Sequence, residues 1–301
     1  MSLILSIAVI TMNRAEQLKE ALKSCLACEL PKETEFVIID NASTDNTEEV
    51  VKEILDNCGY PFYYEKMPEN IGAGAGRNYA YRISKGTIVY GLDDDAVIDI
   101  ENNKLFFIRA LKVFEENKNV ATIGTQIYDI AWGRNRIEKH PKEICDKVYL
   151  CKMFSGGSHF LRKEVFPFQP YMPNKYGYEE LPPCLIALDK GYINVFCSDI
   201  RVVHKPKVNK WDYTNERNHE LLAKECAIPY AIKKMMYPII FRPILYFGYK
   251  KRCKKHLGKI KGLKKRANQF VKETIRNYKI DYKIKAKTVI KMYKDFGISV
   301  F

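Results

Sequence analysis

Leu3–Thr11 is a near-continuous apolar run of strand length, without the polar alternation of a strand that keeps one face in water. Such a run belongs to a parallel strand covered on both faces, which confines the chain to few architectures. The next segments repeat the arrangement. Arg14–Ala27 reads as an amphipathic helix and Thr34–Asp40 as a second strand. Asp45, three residues before Glu48, can open a helix in which Val50, Val51, Ile54 and Leu55 recur at helical spacing. Tyr60–Lys66 is a third, shorter strand and Thr87–Leu92 a fourth. This alternation predicts an α/β fold with a doubly wound sheet. Farther on, Lys104–Glu116 is expected as helix, Val120–Tyr128 as strand and Trp132–Leu150 as irregular and polar. Phe154–Leu161, Leu181–Lys190 and Tyr192–Phe196 follow as strand, helix and strand.

Polar residues gather where the strands end. The fourth strand runs into Asp93-Asp94-Asp95, three like charges that repel one another and that a buried strand end would exclude. A divalent cation held by oxygen ligands answers that repulsion; an acidic loop facing water is the other reading. The first strand ends in Thr11-Met12-Asn13-Arg14 and the second in Asp40–Asp45. Asp40 is placed either to accept a hydrogen bond from a base or ribose in the sheet's crevice, or to cap its own turn. Asn70–Asn78 carries Gly72, Gly74 and Gly76, which allow close backbone approach to a ligand, and Arg77, which can meet a phosphate or a base. Its place after the third strand disfavours a nicotinamide-binding domain. Glu179 and Glu180 open a helix, whose dipole keeps a carboxylate ionised and available as a general base; simple dipole partners look the same. His204 ends a strand-like run and can complete an oxygen-rich Mn²⁺ or Mg²⁺ shell or be structural.

Taken in order, Ser6–Arg14, Val37–Asp45, Asn70–Asn78, Leu92–Asp95, Gly156-Gly157, Tyr178–Leu181 and His204 resemble the family-2 glycosyltransferases with the GT-A fold. The resemblance covers about residues 3–220 and includes Glu216-Arg217-Asn218, similar to an Arg-Asn element of many bacterial members. It implies a Rossmann-like, mostly parallel sheet flanked by helices. It also implies a metal-dependent, inverting transfer of a sugar from a nucleotide-sugar donor to a glycan or lipid-linked acceptor in surface polysaccharide synthesis. On this resemblance Asp40 contacts the base, Arg77 holds base or diphosphate, Asp93 meets the ribose side, and Asp95 binds the metal with Asp93 and His204. Thr11, Asn13, Arg14, Asn70, Gly72, Asp94, Gly156 and Gly157 fall on the nucleotide-sugar side. Many relatives have Glu-Asp where this chain has Glu179-Glu180, so either can be the base, with Glu180 favoured. The triplet leaves the metal register between Asp94 and Asp95 open. A sugar-nucleotide pyrophosphorylase would carry a glycine-rich loop after the first strand, where this chain has Thr-Met-Asn-Arg. A non-catalytic sugar-binding scaffold would have no need of Asp93, Asp95, Glu180 and His204.

Charge divides the chain. Of the formal net +14, residues 229–301 contribute 21 Lys/Arg against three acids, a balance of +18, while residues 1–228 are mildly acidic. Three regions are expected: a nucleotide-sugar half over 1–100, an acceptor half over 101–228 and a basic helical extension over 229–301. Met235–Tyr249 is apolar and aromatic but broken by Pro238, Arg242 and Pro243, and Lys250–Lys255 follows at once. An interrupted apolar segment beside basic residues suits an element lying on an anionic membrane, each cation adding about 1 kcal/mol. A solvated face on a packed helix is the plain alternative, and no motif supports nucleic-acid binding. No apolar span of about 18 residues exists, so no transmembrane helix is expected. The start reads as a strand without a basic leader. Nine Cys without a regular framework suit a reducing cytosol, and Cys25 and Cys28 read as core beside Leu18, Leu22 and Leu26. The expected location is cytoplasmic, peripheral on the inner face of the cell membrane.

Overall fold

In the computed structural model of the chain, residues 4–136, 142–175, 177–206, 212–258 and 260–301 are described. The first elements alternate as predicted: β1 (Leu5–Thr11), α1 (Ala15–Leu26), β2 (Thr34–Asp40), α2 (Thr47–Leu55), β3 (Phe62–Lys66), α3 (Ala73–Ile83) and β4 (Ile88–Asp93). Leu3, expected in the first strand, lies outside the described residues. There follow β5 (Ala96–Ile98), α4 (Ile100–Asn103), α5 (Phe106–Glu116), β6 (Val120–Asp129), β7 (Arg134–Asn135), β8 (Lys142–Cys145), β9 (Val148–Cys151), β10 (Ser158–Arg162), α6 (Leu181–Asp189) and β11 (Ile193–His204). The strands form one sheet in the order β3-β2-β1-β4-β10-β6-β11-β9-β8, with β5 on β11 and β7 on β6. β1 to β4 are parallel, and β10 runs against both β4 and β6. That makes β6 and its parallel neighbour β11 point the same way as the first four. Six strands thus deliver their last residues to one edge of an α/β sheet flanked by helices, and Thr11, Asp40, Lys66, Asp93, Asp129 and His204 are those residues.

Both faces of the sheet are covered, which is why its strands are apolar throughout. Ile7, Val9, Ile38 and Tyr90 face α1 and α5, whereas Ala8, Val37, Ile39 and Val89 face α3, α6 and the C-terminal helices. The ring of Tyr90 lies 5.5, 5.2 and 4.4 Å from those of Phe106, Phe107 and Phe160. All four are fully buried, and truncating such a ring to alanine costs about 3–5 kcal/mol. This cluster fixes β4 against β10 three residues before Asp93.

The second half departs from the sequence reading. Trp132–Leu150 is not irregular where described: β8 and β9 form a hairpin at the sheet edge, and Val148 and Cys151 turn inward. Residues 137–141 of that segment lie outside the described residues. The strand expected over Phe154–Leu161 begins only at Ser158, because Phe154 stacks on His159, 4.4 Å between centroids, and Gly157 turns the chain with φ +113°. β11 continues past Phe196 to His204 through a register shift between Cys197 and Arg201.

Four further helices complete the chain: α7 (His219–Met236), α8 (Arg242–Leu257), α9 (Leu263–Asn277) and α10 (Ala286–Phe296). Pro229, where the charge balance shifts, sits inside α7. A 3-10 turn, Ile239–Phe241, occupies the break at Pro238. Among the described residues no helix is long and apolar enough to cross a membrane.

Candidate active site and metal centre

The turns after β1 and β2 are stitched together. Asn13, left-handed at φ +52°, donates its N–H to Ser43 Oγ (2.8 Å) and accepts from the Thr44 N–H (2.7 Å). Asp45 accepts from the N–H groups of Ala15 and Thr47, so one carboxylate caps the starts of α1 and α2. Asp40 is buried; the Ser43 N–H and the Tyr64 hydroxyl hold its two oxygens at 2.7 and 2.8 Å. The neighbouring Asn41 Oδ1 is buried with no hydrogen-bond partner among the described residues. It sits near Gly76, where an added Cβ would lie 3.6 Å from it. Asn70 Oδ1 accepts from the Gly72 N–H at 2.8 Å, and a Cβ at Gly72 would lie 2.7 Å from Lys175 Cα. Glycine is therefore required there for packing as well as for φ +87°.

The three acids of the triplet part company. Asp94 accepts from Thr11 Oγ1 and Arg14 Nη1, both at 2.9 Å. Burial pushes its carboxyl up to about 6, with Asp95 and Asp93 adding to the effect and Arg14 opposing it. Asp95 takes Arg14 Nη1 at 2.6 Å and faces His204 Nε2 at 3.3 Å, while Asp93 pairs closely with Arg77. Asp93, Asp95 and His204 consequently offer ligand atoms that all lie within 4.8 Å of one another. Two carboxylates and an imidazole form a donor set that fits Mn²⁺ or Mg²⁺. The topology brings them together: in the ladder His204 is opposite Ala96 on one side and Asp129 on the other.

Asp129 is fully buried behind His204. Its Oδ2 lies 3.0 Å from His204 Nδ1 and 3.0 Å from Arg136 Nη2, and Arg136 Nη1 donates to the Gly156 carbonyl at 3.2 Å. When Nδ1 donates to Asp129, the lone pair of Nε2 is turned toward Asp95, as a metal ligand requires.

On the far wall, Gly177 and Tyr178 both adopt left-handed backbone, at φ +85° and +61°. They reverse the chain into Glu179 and Glu180, just before α6. The helix start does not keep Glu180 ionised, as the sequence suggested it would. Burial, with the charges of Glu179 and Asp93, pushes its carboxyl up to about 8, and Arg77 offsets only part of this. A Cβ at Gly156 would lie 2.1 Å from Glu180 Oε1, so the room this glycine leaves is filled by the carboxylate. Burial works against the Arg77 guanidinium, but Asp93, Glu180 and Glu179 more than compensate. Asp93, Arg136, Gly156, Glu179, Glu180 and His204 line one cavity of about 300 Å³.

Sequence reasoning missed Asp129, Arg136, His159 and Glu225. Asp129 ends its strand as Asp40 and Asp93 do, a signal that could have been used. Arg136 and Glu225, which line the cavity from the β7 loop and from α7, carry no local signature. His159, buried and held neutral by desolvation and by Arg77, donates to or accepts from the Tyr171 hydroxyl at 2.7 Å. Buried polar atoms without a hydrogen-bond partner among the described residues include Asn41 Oδ1, Arg77 Nε, Arg136 Nε and Glu179 Oε2. Each such atom costs about 1–3 kcal/mol, and their gathering here marks a surface made for a polar ligand.

The family model for glycosyl transferase family 2 matches residues 6–169. The poly(ribitol-phosphate) beta-glucosyltransferase of Bacillus spizizenii is 27% identical over 121 residues, 40% of this chain and 18% of that protein. The chain spans under half the length of three of the curated relatives it matches. Among solved structures, S. aureus TarS 1-349 in complex with UDP-GlcNAc superposes with a TM-score of 0.63 at 16% identity, over 99% of this chain and 89% of that one. The mannosyltransferase PcManGT from Pyrobaculum calidifontis, in complex with GDP-Man and Mn²⁺, gives 0.59 at 17% identity, over 98% and 76%. At these identities the structures share the fold.

Proposed function

The chain belongs to glycosyl transferase family 2, and we propose that it moves a sugar from a nucleoside-diphosphate donor to an acceptor hydroxyl, inverting the anomeric carbon. In this reading the acceptor oxygen attacks the anomeric carbon as the bond to the diphosphate breaks. The diphosphate leaves with the electron pair, and the hydroxyl proton passes to Glu180. A single displacement with one base and no protein nucleophile gives inversion. Asp93, Asp95 and His204 would hold a divalent cation. When bound, Mn²⁺ or Mg²⁺ supplies positive charge to the departing diphosphate. Arg77, between Asp93 and Glu179, is suited to a phosphate, and the strand-end turns at Thr11–Arg14 and Asp40–Asn41 are suited to the nucleoside. The observation that carries the reading is a metal-competent trio, two members of which, Asp93 and His204, line one cavity together with the buried pair Glu179 and Glu180.

The acceptor is read as a glycan or a lipid-linked glycan in surface polysaccharide synthesis. The likeness to a polymer-glycosylating relative and the basic charge of residues 229–301 support this. The protein would then work on the surface of a membrane, with residues 229–301 as the attaching part. Hydrolysis and transfer from a panel of nucleotide sugars in Mn²⁺ test the activity. Wild type is expected to turn over at least one donor, and Asp95→Ala to lose turnover while keeping its circular dichroism spectrum. Equal turnover by the two proteins would remove the proposed metal site.

A further inference from the structure

The C-terminal helices bury one stripe and leave another open. On α8, Leu245, Tyr249, Cys253 and Leu257 are buried at helical spacing. The opposite positions Phe247, Lys250, Lys251 and Lys254, spaced three, four and seven along, share an exposed face. Ile239 and Ile240, at the tip of the preceding turn, are 69% and 71% exposed, Phe247 is 71% and Ile298 is 66%. These residues lie on neighbouring elements. The rings of Phe241 and Tyr293 are each 5.9 Å from that of Phe301, whose N–H donates to the Ile298 carbonyl. A Cβ at Gly248 would sit 3.5 Å from the Phe301 carbonyl carbon. The 3-10 turn, the middle of α8, the outer side of α10 and the turn after it therefore meet around one residue. Exposed Lys287, Lys291 and Lys294 of α10 flank the far side, as Lys250, Lys251 and Lys254 flank the near one.

We infer that this face is a membrane-docking surface, in which Ile239, Ile240, Phe247 and Ile298 enter the interface of a bilayer and the flanking lysines contact anionic headgroups. Apolar side chains at turn tips, ringed by cations, match a surface that is apolar within and negative at its boundary. The inference rests on the reading of the chain as a transferase with a lipid-linked acceptor and says which residues meet the lipid. The placement suits such an acceptor. Glu225 of α7 lines the cavity, and the helix runs from it to Met236, about 16 Å at 1.5 Å per residue, before reaching the Ile239–Phe241 turn.

The test uses the full chain and phosphatidylcholine vesicles with and without phosphatidylglycerol, read by flotation. Wild type is expected to float with anionic vesicles, less with neutral ones, and to be released by salt. Ile240→Asp with Phe247→Asp, and separately Lys250→Glu with Lys251→Glu and Lys254→Glu, are each expected to weaken binding at least about tenfold. All substituted positions are exposed, so the melting temperature should stay put. Absence of flotation by wild type overturns the inference. So does undiminished flotation of the Ile240/Phe247 variant, or a concentration-dependent dimer in sedimentation that the same substitutions abolish. Donor hydrolysis without vesicles is measured on each protein. Hydrolysis without flotation sinks the docking surface alone; flotation without hydrolysis sinks the transferase reading alone.

Discussion

In the cleft at the strand ends, three arginines are clasped by carboxylates. Arg14 bonds to Asp94 and Asp95, Arg77 to Asp93 and Arg136 to Asp129, with most of the acids almost out of water. Across the C-terminal helices the cations of α8 and α10 stand in solvent beside exposed isoleucine and phenylalanine. The difference teaches how one chain uses charge in two ways. Buried charges interact strongly over short distances and shift one another's protonation, so removing one disturbs its neighbours. Exposed charges interact weakly one by one and act by their sum, which salt weakens. Substitutions should therefore be severe and local in the cleft, and graded and interchangeable on the helices.

The largest separation is expected from Glu180→Gln. It keeps the shape that fills the space at Gly156 and removes the proton acceptor. In the proposed reaction kcat should fall roughly 100- to 10,000-fold. Donor affinity by calorimetry and flotation with anionic vesicles should both hold. A kcat within a few-fold of wild type would transfer the role to Glu179, or remove it from the pair.

Next in size is Asp129→Asn. An asparagine amide can donate to His204 Nδ1, as Arg136 Nη2 at 3.1 Å already can, and the ring proton then sits on Nε2, facing Asp95. Mn²⁺ affinity by electron paramagnetic resonance should drop roughly 10- to 100-fold, and ¹⁵N shifts of the ring should report the exchanged tautomer. Unchanged affinity would make Asp129 a purely structural partner of Arg136.

These two residues also measure what the sequence discloses. The strand ends were legible because apolar runs covered on both faces must stop abruptly, and Thr11, Asp40 and Asp93 are where they stop. Which triplet member turns to His204 was not legible: it depends on β5 pairing with the end of β11, from over a hundred residues away. Asp129 stands one residue past the run Val120–Tyr128, outside every motif singled out in the sequence. Arg136 acts through Asp129 and Gly156, and nothing near it in the chain points to either. The state of Glu180 was misjudged because a helix start was visible in sequence, whereas the burial and the neighbouring Glu179 and Asp93 charges that outweigh it are tertiary. In the tail, the basic and aromatic residues were plain. Their division into a buried and an open stripe required knowing which side of α8 meets α7.

The smallest effect is also the one that most directly sets the two regions apart, because a single variable, pH, acts on both. Glu180 must be ionised to accept a proton, and burial with its acidic neighbours holds its carboxyl up at about 8. Well below that value the ionised fraction falls tenfold per pH unit, so kcat/KM for the donor, which reports the free enzyme, should rise with pH, bend near 8 and level off above it. Between pH 7 and 8 the gain is a few-fold to about tenfold. An exposed ammonium stays cationic across this whole range, so flotation with anionic vesicles should change much less than catalysis. Lys233, pulled down to about 7 by desolvation, donates to the Phe301 carbonyl behind this face. A kcat/KM that is flat from pH 6 to 8 would mean that the base ionises in the ordinary carboxylate range, and the burial of Glu180 against Gly156 would no longer describe the reacting enzyme. Flotation that falls as steeply as catalysis climbs would give control of the docking surface to a titrating group, with Lys233 behind Phe301 the group in place for it.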